Sequence, residues 1–170
     1  MFISAKEMHL GKVRFHETFE PGAIELFDEQ LRQVTPLEAD GAAELVPSLM
    51  EIRVKGHLKV QMEAQCDRCL ETTTFPIDTG FDLFYQPARS LAGEEIQIDD
   101  ADSDIGFYQG DSLDLADLLR EQILLSLPMQ RVCREDCKGI CPVCGQNRNQ
   151  IACGCHPRLA DDRWSKLRNL

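Results

Sequence analysis

Eight cysteines set the strongest constraint on what this 170-residue chain can fold into. Six of them lie between positions 133 and 155, and the other two form a separate C-x-x-C pair at positions 66 and 69. Thiolates at such short spacings are typical ligands of a soft cation, and four of them complete a tetrahedral zinc site. The sequence therefore predicts eight metal ligands: Cys66, Cys69, Cys133, Cys137, Cys141, Cys144, Cys153 and Cys155.

The cysteine spacing also predicts how these thiols divide between two zinc ions. The segment Cys141-Pro-Val-Cys144-Gly has the form of a zinc knuckle, a tight turn whose backbone N–H groups point at sulfur. The pair Cys153 and Cys155 follows at a distance that suits a hairpin and completes one site. The other four thiols then share a second site that staples the C-terminal tail to the body of the protein. A metal that closes so long a loop has a large entropic benefit in principle.

Three other arrangements of the cysteines stay open at this point. The pair Cys66 and Cys69 also fits a redox-active dithiol, although that motif normally opens a helix and here precedes a predicted strand. A single zinc ion held by four of the six tail cysteines is the second alternative. An iron–sulfur cluster is the third, since four cysteines can hold one.

Composition and hydropathy favour a globular protein of the cytoplasm. Apolar residues make up 43% of the chain, enough for an ordinary core. No apolar run approaches the roughly 18–20 residues needed to cross a bilayer, and the first 15 residues lack the apolar centre of a signal peptide. In the cytoplasm thiols stay reduced, so a cysteine cluster indicates a metal site more than a disulfide framework.

The fold class predicted from these patterns is α+β. Strict alternation of apolar and polar residues from position 51 to 65 predicts a long, half-buried strand, with the first C-x-x-C pair in the turn that follows it. Pro76 should end the returning strand. A helix is expected over residues 111–127, capped by Asp111 or Ser112. We expect a mostly antiparallel, barrel-like β-domain over residues 1–127, covered by that helix, and a zinc-knuckle tail over residues 128–170.

Charge is unevenly distributed along the chain. The formal net charge is −11, yet residues 131–170 carry eight Lys and Arg against four Asp and Glu, a net +4 that leaves −15 for residues 1–130. On the polar face of the long strand, alternate residues lie about 7 Å apart, near the spacing of successive phosphates. The candidate RNA-binding residues are therefore Arg53, Lys55, His57 and Lys59 on the strand and Arg163, Lys166 and Arg168 in the tail.

Two of these charge patterns also have an ordinary structural explanation. The basic row on the strand is equally typical of a solvent-exposed face whose charges are neutralised by acids on a neighbouring strand. The acidic stretch over residues 90–111 contains no Lys or Arg, which is typical of a solvated loop; the functional alternatives are a mimic of nucleic-acid charge and a docking segment for a basic partner.

No pattern in the sequence indicates an enzyme. It contains no P-loop, no glycine-rich dinucleotide fingerprint and no set of Ser, His and Asp in a catalytic arrangement. A zinc ion closed by four thiolates has no free position for substrate, so the predicted metal sites are structural.

Several blocks of sequence together resemble one bacterial family. They are EIRVKGHLKVQMEAQCDRCL from position 51, FDLFYQP from position 81, the helix LREQILLSLPM, and the tail CREDCKGICPVCGQNRN with its later CGC. In this order they are similar to the YceD-like family, the large ribosomal RNA subunit accumulation proteins.

The resemblance implies a non-enzymatic factor needed for accumulation of large-subunit (23S) rRNA and for assembly of the large ribosomal subunit. The implied partners are precursor rRNA, a pre-large-subunit particle or an early ribosomal protein, with no membrane and no small-molecule substrate. The alternative is a zinc-ribbon module that binds proteins, in transcription or another complex, without RNA contact.

Overall fold

A computed structural model describes residues 2–46, 51–88 and 105–155. Strands account for most of the secondary structure, so the chain is α+β as predicted. In chain order the elements are β1 (Phe2–Ser4), α1 (Ala5–Leu10), β2 (Val13–Phe19), β3 (Arg32–Gln33), β4 (Leu37–Val46), β5 (Glu51–Gln65), β6 (Thr72–Pro87), β7 (Ile105–Tyr108), β8 (Ser112–Asp114) and α2 (Leu115–Leu125).

The main sheet has the strand order β2-β4-β5-β6-β7, and the short β3 pairs with β5 beyond the end of β4. Strands β2, β4 and β5 pair antiparallel, whereas β7 runs parallel to β6. A second, two-stranded sheet joins β1 to β8. The prediction of a barrel-like domain is not supported. Among the described strands the sheet does not close, because β2 and β7 end the path and do not pair with each other.

Strand β5 forms over the residues that the alternation predicted. Its apolar side chains are buried, and those of Ile52, Val54 and Leu58 are completely inaccessible to solvent. Period-2 alternation is decisive here because a strand with one buried face exposes its apolar set if the register slips by one residue. The central strand of the sheet is thus fixed by its own sequence.

Helix α2 begins later than the sequence indicated. Residues 112–114 form strand β8 against β1, and the side chain of Asp114 accepts a hydrogen bond from the Ala116 N–H at 3.0 Å. Asp114 is therefore the N-cap, in place of the predicted Asp111 or Ser112, because pairing with β1 holds the preceding residues extended. The helix buries Leu115, Leu118, Leu119 and Ile123. That it covers the sheet remains a prediction.

Strand β6 continues through Pro76, at which the sequence predicts the end of the strand. A proline removes one N–H donor and is tolerated in a strand only where that donor is not needed. Strand β7 pairs with β6 only from Phe84 to Pro87, so β5 is the one neighbour described for the earlier part of β6.

Two glycines face each other at the middle of the β4–β5 pair. Gly41 lies opposite Gly56, and the register runs without a bulge on either side of them. A Cβ atom on Gly56 would lie 2.5 Å from the Asp40 carbonyl oxygen and 2.7 Å from the ring of Phe81. A Cβ on Gly41 would lie 2.7 Å from the ring of Phe15. The absence of side chains here leaves room for the two rings.

The chain divides into two compact units. The first contains residues 1–63 and 74–128, and the second contains residues 64–73 and 129–170. The turn with the first C-x-x-C pair therefore belongs to the same unit as the cysteine-rich tail. The domain boundary between residues 127 and 128 remains a prediction.

We expect Gly56→Ala to lower the free energy of unfolding by about 1–3 kcal/mol, because the new methyl group overpacks the site against backbone and ring. Gly80→Ala is the matched control in the next strand, since its Cβ would meet only an ordinary contact at 3.6 Å. Urea unfolding followed by circular dichroism measures both. Equal effects of the two substitutions would show that the close approach at Gly56 does not matter.

Candidate metal centres

Two groups of four cysteines bring their sulfur atoms together in the described part of the second unit. Within each group all sulfur atoms lie within 4.8 Å of one another. We call Cys66, Cys69, Cys133 and Cys137 the inner cluster, and Cys141, Cys144, Cys153 and Cys155 the outer cluster. These are the two sets into which the spacing divided the thiols.

The inner cluster has the dimensions of a tetrahedral thiolate site. The sulfurs of Cys66 and Cys137 are 3.9 Å apart, and those of Cys69 and Cys133 are 3.7 Å apart. Zinc–sulfur bonds of about 2.3 Å place two sulfurs of a tetrahedron roughly 3.8 Å apart. The inner cluster is therefore pre-shaped for a metal ion, and Cys66, Cys69 and Cys137 are buried.

Each C-x-x-C pair is built on the same tight turn. After the first pair, Leu70 donates its N–H to the Cys66 carbonyl at 2.9 Å, and after the second, Gly145 donates to the Cys141 carbonyl at 2.8 Å. Both following residues have left-handed backbones, with φ of 61° and 73°. Glycine adopts this conformation freely, whereas a leucine does so only at a cost. The first knuckle is thus a turn between β5 and β6, without the helix that a redox dithiol motif opens.

Hydrogen bonds hold the first knuckle against the chain around the other inner cysteines. The Arg131 N–H donates to the Asp67 carboxylate at 2.7 Å, and the Asp67 N–H donates to the Arg131 carbonyl at 2.8 Å. The guanidinium of Arg68 reaches the carbonyls of Glu135 and Cys137 at 3.3 and 3.4 Å. These contacts align the two segments so that their thiols meet.

The outer cluster is assembled within one short stretch of chain. A small hairpin pairs Ile140 with Asn147 around the second knuckle, and Cys153 and Cys155 follow it. Its thiols are more accessible than those of the inner cluster, because Cys144 and Cys155 are exposed. Each cluster thus contains one knuckle of the same type, but the sulfurs of the outer cluster are more exposed to solvent.

Polar hydrogens point at the inner sulfurs. Burial alone raises the pKa of the Cys66 thiol, but three backbone N–H groups outweigh burial and lower that pKa to about 6. The Glu71 N–H lowers the pKa of Cys69, yet burial and the neighbouring sulfurs raise it overall to about 12. One thiol of the inner cluster therefore loses its proton readily. All four are deprotonated together only when a cation neutralises their charge.

The outer cluster follows the same pattern. The N–H groups of Cys144 and Val143 lower the pKa of Cys141 to about 6. The neighbouring Cys144 sulfur, together with burial, raises the pKa of Cys155 to about 12. Four soft, anionic donors at tetrahedral spacing suit a soft divalent ion and leave it no open coordination position.

The predicted RNA-binding row on β5 faces acids on both neighbouring strands. Arg53 donates two hydrogen bonds to Asp82 at 2.7 and 2.6 Å, and Lys55 lies 3.7 Å from the same carboxylate. His57 lies 2.7 Å from Asp78. On the β4 side the register places Glu44 opposite Arg53, Asp40 opposite His57 and Glu38 opposite Lys59.

This arrangement reduces the charge that the row presents. The hydrogen bonds from Arg53, followed by the charges of Arg53 and Lys55, hold the pKa of Asp82 below its ordinary value of 3.8, so the carboxylate stays ionised. Its charge neutralises part of the row, as expected for an ordinary solvent face. The three tail candidates, Arg163, Lys166 and Arg168, lie outside the described residues, as does the acidic stretch over residues 90–104.

Comparison with known proteins gives the family. A family model described as Large ribosomal RNA subunit accumulation protein YceD matches residues 54–170, which include both clusters. The chain belongs to the YceD family. No solved structure matches it.

Relatives in this family are distant in sequence. The uncharacterized protein YlbN of Bacillus subtilis is 24% identical over 165 residues, which cover 96% of this chain and 91% of that protein. Rv2926c of Mycobacterium tuberculosis, also uncharacterized, is 27% identical over 116 residues, or 68% of this chain and 54% of that protein.

A plant relative carries a descriptive name. Large ribosomal RNA subunit accumulation protein YCED homolog 1, chloroplastic, of Arabidopsis thaliana is 22% identical over 165 residues, which cover 80% of this chain and 49% of that protein. The chain spans about half the length of the mycobacterial and plant relatives that it matches. No helix in the described ranges is long and apolar enough to cross a membrane.

We expect the metal-loaded YceD-family chain to release its metal to a chelator in two phases of similar amplitude. The outer cluster should empty first because two of its four thiols are exposed, whereas three of the inner four are buried. Release is followed with a colorimetric metal indicator. Cys144→Ser should remove the fast phase, and Cys69→Ser should remove the slow phase. A single phase, or loss of the slow phase in Cys144→Ser, would contradict this assignment.

Proposed function

We propose that this chain is a non-enzymatic factor of the cytoplasm that supports accumulation of large-subunit rRNA and assembly of the large ribosomal subunit. The observation that carries the proposal is the match to the YceD family over residues 54–170. The name of the Arabidopsis relative, which refers to accumulation of large-subunit ribosomal RNA, supports it. The proposed partner is precursor rRNA, a pre-large-subunit particle or an early ribosomal protein.

The cysteine clusters support a structural role for metal in this function. We propose that each cluster binds one Zn²⁺ and that all eight cysteines are ligands. Four thiolates would close each coordination sphere, which gives the ion no position at which to activate water or substrate. The zinc ions would instead hold the second unit in one shape and so preserve a surface that recognises a partner.

Direct contact with RNA, where it occurs, is better supported for the second unit than for the strand row. The second unit carries nine Lys and Arg against six Asp and Glu, and with about −2 from each of two zinc tetrathiolate sites its formal charge is near −1, against −14 for the first unit, whose row on β5 is neutralised by its neighbours. We therefore place the proposed phosphate contacts in the tail and include Arg163, Lys166 and Arg168. The contribution of Arg53, Lys55, His57 and Lys59 remains a prediction. Each phosphate contact would steepen the salt dependence of binding.

Elemental analysis tests the identity of the metal. The chain purified without added metal should contain about two zinc atoms, and Cys66→Ser should reduce this to about one because the inner cluster loses a ligand. Iron with visible absorption would contradict zinc. If the wild type contained one zinc atom and Cys66→Ser did not change that number, the proposal of zinc at the inner cluster would be wrong, and the proposal for the outer cluster would stand.

Depletion of the protein tests the function. In depleted cells the ratio of large-subunit to small-subunit rRNA should fall, and expression of the wild-type chain should restore it. In a sucrose gradient at low salt the protein should sediment with precursors of the large subunit. An unchanged rRNA ratio together with protein found only in the ribosome-free fractions would reject the proposal.

A further inference from the structure

A groove opens in the long loop between β2 and β3. It has a volume of about 590 Å³ and is lined by residues between Gly22 and Gln33. Two of its lining side chains, Ile24 and Leu31, are buried, and Leu26 and Phe27 add further apolar surface. We call this feature the loop groove. It belongs entirely to the first unit and contributes nothing to the cysteine clusters.

Phe27 is the most unusual residue of the loop groove. Its side chain is 74% exposed, and its backbone has a left-handed φ of 54°, which is costly for an aromatic residue. The guanidinium of Arg120 lies 4.9 Å from the centre of the ring, and Arg120 also pairs with Asp117 at 3.0 Å. A cation over the ring face is attracted to it electrostatically. An exposed aromatic ring is typical of an anchor residue in a binding interface.

The charge around the loop groove is predominantly negative. Glu25, Asp28 and Glu29 line it together with one cation, Arg32, and the second cation beside it, Arg120 over the Phe27 ring, is paired with Asp117. The first unit as a whole carries nine Lys and Arg against 23 Asp and Glu, a formal charge of −14. On β5 of the same unit, Arg53 and Lys55 share the Asp82 carboxylate. Such a field repels phosphate and attracts a cationic chain.

We propose that the loop groove docks a Lys- and Arg-rich polypeptide segment that inserts one apolar side chain beside Phe27. This inference rests on the proposed function and specifies its partner, because proteins that bind rRNA carry cationic segments to neutralise phosphates. The apolar groove supplies the anchor point, and the acidic residues around it select positive charge. The alternative occupant is RNA, and the experiment below distinguishes it from a cationic peptide.

The test uses the full-length, metal-loaded chain and a labelled twelve-residue probe peptide of alternating Lys and Arg with one central Phe. Fluorescence anisotropy measures its affinity at low and moderate salt. Phe27→Asn should weaken binding about tenfold, since asparagine tolerates the left-handed backbone but removes the ring. Glu29→Lys should also weaken it, whereas Glu7→Lys, the same change of charge on α1, should have little effect.

Two further probes separate the docking proposal from general charge attraction. A peptide with Ser in place of Phe should bind wild type and Phe27→Asn equally, because the anchor is gone. A single-stranded RNA of twelve nucleotides should bind no more weakly to Phe27→Asn than to wild type. Equal losses in Glu29→Lys and Glu7→Lys, or RNA that competes with the peptide in a manner dependent on Phe27, would overturn the proposal.

Complementation of depleted cells separates failure of this inference from failure of the proposed function. A chain with Phe27→Asn and Glu29→Lys should fold, load metal and fail to restore the rRNA ratio fully. If this variant restores the ratio as well as wild type, the docking proposal is wrong and the proposed function stands. If even the wild-type chain has no effect on the ratio, the proposed function fails, and the peptide measurements still decide whether the groove binds a cationic segment.

Discussion

The inner cluster joins two pieces of chain whose nearest thiols, Cys69 and Cys133, are 64 residues apart in the sequence. A hydrogen bond from Arg68 to the Glu135 carbonyl and one from the Arg131 N–H to the Asp67 carboxylate align these pieces, but four sulfurs placed at tetrahedral distances repel one another once they ionise. A divalent cation bound by the four sulfurs, as proposed, would remove that repulsion. In the proposed metal-bound form, the pairing of these two pieces of chain would depend on charge neutralisation at the inner cluster.

The sheet of the first unit neutralises its charges in a different way. Its polar face carries acids on β4, bases on β5 and acids again on β6, so that the basic row lies between two acidic rows. Cross-strand pairs of this kind add modest stability in solvent. Their larger effect is on recognition, because a basic row enclosed by acids no longer presents a positive surface. The excess negative charge of the unit then lies elsewhere, including the loop between β2 and β3.

Local patterns predicted much of this structure, and long-range pairing accounts for most of what they missed. The alternation in β5 and the spacing within each pair of cysteines act over few residues, so both were visible in the sequence. The late start of α2 was not, because residues 112–114 pair with β1 at the other end of the described chain. The acids opposite Arg53 also lie on other strands. The sequence did not reveal the left-handed backbone at Leu70, because this conformation is usually marked by glycine and the first knuckle has leucine there.

The separation in sequence of the two inner pairs has a consequence for biosynthesis. At about 5–20 residues per second, Cys69 is added to the growing chain roughly 3–13 s before Cys133. During that interval the first knuckle has no partner thiols, whereas all four outer cysteines lie within a single stretch of 15 residues, Cys141 to Cys155. A nascent chain that stops short of residue 133 therefore presents two thiols and no site. Synthesis as far as Cys155 is a condition for both clusters to assemble, although half of the inner cluster is encoded early in the chain.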